Sequence, residues 1–63
     1  MAMSYTDYLN RVRIESAKLL MKEDLTLAEI SQRAGFNDQS YFSKVFRKLE
    51  GQSPLKWRTK HYA

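Results

Sequence analysis

Hydrophobic positions between residues 25 and 49 fall into two successive stripes, each with the spacing of one face of an α-helix. Both follow the i, i+3, i+4, i+7 rule, the first with Leu27, Ile30, Ser31 and Ala34 and the second with Phe42, Val45, Phe46 and Leu49. Gly35 lies between the stripes, and a short turn containing glycine is typical of a helix-turn-helix. The pattern therefore predicts a helix-turn-helix over residues 26–50.

The residues around the first stripe indicate where its helix begins and ends. Thr26 and Glu29 have the spacing of a capping box, in which each side chain accepts a hydrogen bond from a backbone amide of the first turn. Gly35 can adopt the left-handed conformation that ends a helix, because it has no Cβ. The first helix of the motif is therefore predicted to start after Thr26 and to stop before Gly35.

The second stripe and the segment after it carry similar signals. Asn37 is the predicted N-cap of the second helix, and Asp38 suits the positive end of its dipole. Gly51 ends that helix. Ser53 then suits an N-cap and Pro54 the first position of a helix, where its missing amide costs nothing. A last short helix is therefore predicted over residues 53–60, with fraying after that.

Residues 4–22 are predicted to form the first and longest helix. Ser4 and Asp7 have the spacing of an N-terminal cap. Arg13 lies at the edge of the predicted inner face, where its aliphatic stem would cover the core, whereas Arg11 and Lys18 are expected to be solvated. The predicted inner face comprises Tyr5, Leu9, Val12, Ser16, Leu19 and Leu20.

Together these elements predict one all-α domain over residues 1–63, a small homeodomain-like fold of about four helices. A chain of 63 residues buries only about 60% of its unfolded surface, so packing must supply the stability. The chain has no cysteine and therefore no disulfide to assist. The expected core comprises Leu9, Leu20, Ile30, Ala34, Phe36, Phe42, Val45, Phe46, Leu49 and Trp57.

Charge is distributed unevenly along the chain, whose formal net charge is +4. Residues 1–43 hold 5 basic and 6 acidic side chains, for a net charge of −1, whereas residues 44–63 hold 6 basic and 1 acidic, for +5. Basic clustering of this kind is expected of a protein that binds nucleic acid. A solubilising surface and a docking face for an acidic protein are alternatives that the charge alone leaves open.

The outer face of the second motif helix carries the candidate base-reading residues. Lys44 can donate to guanine O6 and N7, and Gln39 can pair with adenine N6 and N7. Ser40 and Ser43 are small enough to contact a base or a phosphate. An ordinary helical hairpin with a solvated polar face is the alternative explanation of this pattern.

A second group of residues suits the DNA backbone. Arg47 and Lys48 lie later on the same helix, where side chains position the protein on phosphates without reading sequence. Lys56, Arg58 and Lys60 could follow the backbone from the last helix. Candidates at helix N-termini, where free amides attract a phosphate, are Thr26, Asn37 and Ser53.

Other functional classes lack the residues that they require. His61 is the single histidine and has no second ligand nearby in sequence, so we expect neither a metal site nor a cofactor. No glycine-rich phosphate loop and no nucleophile with a base is evident, so we expect no enzymatic activity. No apolar run reaches the roughly 18 residues of a membrane span. A cytoplasmic protein is the simplest expectation.

The sequence of residues 13–58 contains short segments that resemble a known protein family. The segments A-E-I-S, A-G-F, D-Q-S-Y-F-S, V-F-R-K and G-Q-S-P-x-x-W-R occur in fixed register. They resemble the C-terminal helix-turn-helix of the AraC/XylS family of bacterial transcription regulators. The upstream R-I-E-S-A-K-L-L resembles the linker helix of that family, so the resemblance covers nearly the whole chain.

The resemblance implies sequence-specific binding to double-stranded DNA, with the second motif helix in the major groove. It also supports the early, outward residues of that helix as base contacts. The resemblance implies activation of transcription more often than repression. It also makes RNA polymerase an expected partner. The family pairs two helix-turn-helix units, and this chain matches only the linker helix and the second. We therefore expect a fragment of a larger regulator, with an unusually short protein as the alternative. A protein-interaction module that docks on an acidic partner is the alternative.

Overall fold

The structure is a computed structural model that describes residues 3–62, and within that range it contains four helices and no strand. These are α1 (Tyr5–Leu20), α2 (Leu27–Arg33), α3 (Gln39–Glu50) and α4 (Pro54–Tyr62). The helix-turn-helix pair α2–α3 packs against α1, and α4 packs against α3. The prediction of an all-α fold is therefore confirmed.

The predicted caps of α1, α2 and α4 are confirmed. The Ser4 hydroxyl accepts from the Asp7 amide at 3.1 Å. Thr26 and Glu29 form the complete capping box. The Ser53 hydroxyl accepts from the amide of Lys56 at 3.2 Å and so caps α4.

The predicted N-cap of α3 is wrong by one residue. The cap is Asp38, whose extended backbone lets its carboxylate accept from the Ser40 amide at 2.9 Å. Asn37 lies one position earlier, in an exposed bend. A carboxylate at this position both satisfies an amide of the first turn and interacts favourably with the helix dipole, which explains the preference for Asp38.

The predicted inner face of α1 is also wrong. The helix buries a different stripe, formed by Asn10, Ile14 and Ala17 and continued by Met21 just after its end. Four residues of the predicted face are exposed. Ser16 is one of them, and for the others 77% of Tyr5, 44% of Val12 and 66% of Leu19 is accessible to solvent. Both stripes have helical spacing, and only packing against α2 and α3 decides which one turns inward.

The core centres on aromatic side chains that join the turn, α3 and α4. The ring centroids of Phe36 and Phe42 lie 5.3 Å apart, those of Phe42 and Phe46 5.8 Å, and those of Phe46 and Trp57 5.9 Å. The predicted core residues that are buried are Ile30, Ala34, Phe36, Phe42, Val45, Phe46 and Trp57. Leu20 and Leu49 are half-buried against this cluster, and Leu9 is half-buried outside it.

The expectation that Lys18 is simply solvated is wrong, because its ammonium lies 2.9 Å from a Glu15 carboxylate oxygen and 3.1 Å from one of Glu50. The last helix extends to Tyr62, beyond the predicted end at residue 60. In this added part the His61 ring stacks on Trp57, with centroids 4.0 Å apart.

Candidate nucleic-acid interface

The buried side of α3 determines which of its residues face outward. Phe42 and Phe46 are completely buried, so the opposite side of the helix is turned to solvent. At 100° per residue the centre line of that outer side carries Ser40, Lys44 and Arg47, and all three are exposed. The predicted base-reading and phosphate residues of α3 therefore share one surface.

The remaining candidates on α3 lie at the two edges of this surface. Gln39 is exposed in the first turn, and together with Gln32 of α2 it lines a shallow notch beside the turn. Ser43 is half-buried. Lys48 is exposed at the other edge, beside the N-terminal half of α1. No local sequence signal points to Gln32, because its position next to Gln39 depends on how α2 and α3 cross.

Contacts near both ends of α3 hold it against α1. Near its start, the Asn10 side-chain amide donates a hydrogen bond to the Tyr41 hydroxyl at 3.0 Å. At its end, Lys18 forms the ion pair with Glu50. The position of α3 is thus fixed from two points of one long helix, which presents its outer surface in a constant orientation.

The surroundings of Lys18 raise the pKa of its ammonium above the ordinary value of 10.5. The largest cause is the hydrogen bond to Glu15, and the hydrogen bond and charge of Glu50 add to it. Partial burial acts in the opposite direction, because it disfavours the charged form. Lys18 is therefore a permanently charged link between α1 and α3 at neutral pH.

The cations of the outer surface differ from Lys18. Among residues 3–62, the ion pairs between side chains all involve Lys18, so Lys44, Arg47 and Lys48 have no acidic partner there. Their charge is consequently free to interact with an anionic ligand. Unpaired positive charge concentrated on one helix face is attracted to the negatively charged phosphate backbone of DNA.

The predicted phosphate contacts outside α3 differ in whether their side chains are available to bind a phosphate. Asn37 is exposed and lines the notch beside Gln39. Lys56 is exposed at the start of α4, next to the capping residue Ser53. Arg58 instead donates hydrogen bonds to the backbone carbonyls of Glu23 and Leu25, and so ties α4 to the α1–α2 connection.

Residues 3–62 contain no group of three His, Asp or Glu side chains placed to hold a metal ion. None of the helices in that range is both long enough and apolar enough to span a bilayer.

Comparison with known proteins gives a consistent answer. Residues 1–60 match a family model described as a helix-turn-helix domain. Over 63 residues the chain is 38% identical to the uncharacterized HTH-type transcriptional regulator YijO of Escherichia coli strain K12, covering 98% of this chain and 22% of that protein. No solved structure matches the chain.

Two further relatives share the name HTH-type transcriptional activator RhaR. The chain is 39% identical to RhaR of Enterobacter sp. strain 638 and 42% identical to that of Salmonella arizonae, each over 57 residues. Each alignment covers 89% of this chain and 20% of the relative. The chain thus spans about a fifth of the length of the curated relatives that it matches.

Proposed function

The chain belongs to the AraC-type helix-turn-helix family, and from this membership we propose that it binds double-stranded DNA sequence-specifically in the regulation of transcription. The observation that carries the proposal is the outer surface of α3. Its cations have no acidic partner among residues 3–62, and the helix is fixed against α1 near both ends. In a helix-turn-helix the second helix enters the major groove, which α3 would do here.

Within this arrangement the early residues of α3 read bases. Lys44 donates to guanine O6 and N7, and Gln39 pairs with adenine N6 and N7, each good pair supplying about 1–3 kcal/mol of discrimination. Ser40 and Ser43 contribute shorter contacts at the same surface. The support for these roles is the exposure of Ser40 and Lys44 on the side opposite the buried phenylalanines, and the exposure of Gln39 in the first turn at the edge of that surface.

The phosphate contacts flank the base-reading residues. Arg47 and Lys48 lie on later turns of α3, and Lys56 with Ser53 lies at the start of α4. Asn37 lies before α3, at the notch next to Gln39. We leave Arg58 out, because its guanidinium is hydrogen bonded to two carbonyls, and Thr26, because its hydroxyl serves the capping box.

The larger regulator is inferred from the relatives rather than from the contacts of this chain. RhaR is named as a transcriptional activator, and we extend activation, with contact to RNA polymerase, to the protein in which this domain acts. The relatives are transcription regulators, and we propose a role in recognition without catalysis. The protein-interaction alternative receives no support from the relatives.

The test begins with backbone amide shifts of the labelled chain during titration with a generic DNA duplex. Shifts confined to Asp38–Lys48 and Ser53–Lys60, and weakened by salt, are expected. A dissociation constant of about 10⁻⁴–10⁻⁶ M is typical of non-specific binding. Shifts on the outer face of α1 instead, or no shifts at all, would contradict the proposal and favour docking on a protein.

Base reading is tested by selection from a duplex pool with a randomised centre. Lys44→Ala should relax the base preference at one position of the selected site. Arg47→Ala should instead lower the binding affinity for all sequences by a similar factor. Lys22→Ala is the matched control, since Lys22 is exposed after the end of α1. Unchanged preferences in Lys44→Ala would show that Lys44 does not read a base.

A further inference from the structure

A groove of about 360 Å³ lies between the N-terminal half of α1 and the α1-facing edge of α3. Its apolar surface comes from Met3, Val45 and Leu49. The volume lies near the lower end of the range of about 300–1,000 Å³ found for small-molecule sites. A helix is about 10–12 Å across with its side chains, so the groove suits a small molecule better than a helical segment of a protein.

A polar pair lies in the same groove. Both Asn10 and Tyr41 line it, and the Asn10 amide donates to the Tyr41 hydroxyl oxygen at 3.0 Å. Since that oxygen is the acceptor, the hydroxyl proton remains available to donate elsewhere. Asn10 is buried and directs its Nδ2 at the Tyr41 hydroxyl, which gives that oxygen the acceptor role. The groove therefore offers a positioned donor next to apolar surface.

The charges that line the groove are unbalanced. Arg11, Lys44 and Lys48 contribute three cations, and Asp7 contributes one carboxylate. None of the three cations has an acidic side chain within 4.0 Å among residues 3–62. A ligand that complements this lining carries a negative group at one end and an apolar body at the other.

We propose that this groove binds a small amphipathic organic carboxylate. The apolar body lies against Val45 and Leu49, and the carboxylate accepts hydrogen bonds from the Tyr41 hydroxyl and the ammonium groups of Lys44 and Lys48. A further consequence rests on the proposed function. Because Lys44 and Lys48 are also assigned to DNA, an occupied groove competes with the duplex and lowers DNA affinity.

The first experiment uses 2-naphthoate as the probe, added to the labelled chain without DNA. Amide shifts at Asn10, Arg11, Tyr41 and residues 44–49 are expected, with a dissociation constant of about 1 mM, as for a small fragment. The uncharged analogue 2-naphthalenemethanol should bind about tenfold more weakly. Equal binding of the two, or no shifts in the groove, would overturn the proposal.

Arg11→Ala separates the groove from the DNA surface, because Arg11 is exposed in the groove and has no role in the DNA proposal. This variant should bind naphthoate about threefold to tenfold more weakly and keep its affinity for a generic duplex. Lys22→Ala, the control, should change neither. Failure of naphthoate binding with intact DNA binding would sink the groove proposal alone, and an acidic peptide that binds where naphthoate does not would replace it with a protein partner.

Discussion

Gly35 lies in the turn between the two helices of the motif. Its φ of +103° lies in the region that residues with a Cβ rarely adopt. A Cβ added there would lie 3.1 Å from Arg13 Nε, and the Arg13 guanidinium itself lies over the Phe36 ring, 5.7 Å from its centroid. The turn therefore needs glycine both for its backbone conformation and for the close approach of Arg13.

Gly35→Ala should lower the free energy of unfolding by about 2–3 kcal/mol, since it adds a contact with Arg13 to the backbone strain. Gly51→Ala is the matched comparison, because Gly51 also has positive φ, +80°, but a Cβ there would have no neighbour within 4 Å. It should cost only about 1 kcal/mol. Urea denaturation of both variants measures the difference, and equal costs would show that Arg13 moves aside freely.

At the scale of single residues, local signals were predictable and long-range partners were not. The capping box of Thr26 and Glu29 involves residues three apart, so its spacing alone was sufficient. The partners of Arg58 lie more than thirty residues away in sequence, in the α1–α2 connection. The sequence favoured a phosphate for Arg58, because a basic residue on a basic helix carries no sign of such a partner.

The helix α1 shows what periodicity can and cannot determine about an element. Its start was predictable, because Ser4 caps it locally. Its inner face was not, because Ile14 and Ala17 compete with an equally well-spaced stripe that includes Val12 and Leu19. Ala17 is completely buried in the core, whereas Val12 and Leu19 are exposed. Only the positions of α2 and α3 decide between the two faces.

The start of α3 can be tested with neighbouring substitutions. Asp38→Ala removes the carboxylate that accepts from the Ser40 amide, and should lower the free energy of unfolding by about 1 kcal/mol. Asn37→Ala should change it by less than about 0.5 kcal/mol, as is usual for exposed positions. Thermal denaturation followed by circular dichroism distinguishes the two. A larger loss of unfolding free energy in Asn37→Ala than in Asp38→Ala would show that Asn37 is the N-cap.

The ion pair between α1 and α3 makes a prediction about pH. Because the pKa of Lys18 is higher in the folded chain than its ordinary value of 10.5, the stabilisation is present below that pH. It is lost as the pH rises through the raised pKa. The difference in unfolding free energy between the wild type and Lys18→Met should therefore shrink in that alkaline range.

A double-mutant cycle attributes this effect to the correct partner. Lys18→Met and Glu50→Gln, separately and together, should give a coupling of about 0.5–1 kcal/mol at neutral pH. The Lys18 side chain is only 22% exposed and that of Glu50 18%. The coupling free energy of this pair should therefore exceed that of a fully solvated pair. A coupling near zero would leave Glu15 as the partner that matters.

For the whole molecule, the important feature is the separation of charge between its two parts. The last 20 residues carry a net charge of +5, and the preceding 43 carry −1. Within the basic part, Glu50 is paired with Lys18 and Arg58 is bound to carbonyls. The cations that remain for DNA are on α3 and α4, and the number of them that meets phosphates sets the salt dependence.

The logarithm of the DNA association constant should fall linearly with the logarithm of salt concentration. With three charged phosphate contacts, from Arg47, Lys48 and Lys56, the expected slope is about −2.7. Lys56→Ala should make the slope less steep by about 1, whereas Lys22→Ala should leave it unchanged. Fluorescence anisotropy of a labelled duplex measures both. An unchanged slope in Lys56→Ala would remove α4 from the DNA surface.

The helices and their outward faces were more predictable from the sequence than the features that form where helices cross. The helix-turn-helix and its outward residues follow from the stripe of Phe42, Val45 and Phe46, which fixes the opposite face of α3. The groove beside Arg11 and the notch beside Gln32 were not predictable, since each forms only where two helices cross. Crossing angles depend on the sizes of all the buried side chains together, and no short pattern encodes them.

Trp57 gives the molecule an optical property that follows from its packing. It is the only tryptophan of the chain, and only 8% of it is exposed. Phe46 of α3 meets its ring at 5.9 Å, His61 stacks on it at 4.0 Å, and the Lys18 ammonium of α1 lies 5.8 Å from its centroid. Its fluorescence therefore reports, without any added dye, whether α1, α3 and α4 are assembled. Because Trp57 packs against the buried side of α3, that emission can follow folding while a duplex occupies the opposite side.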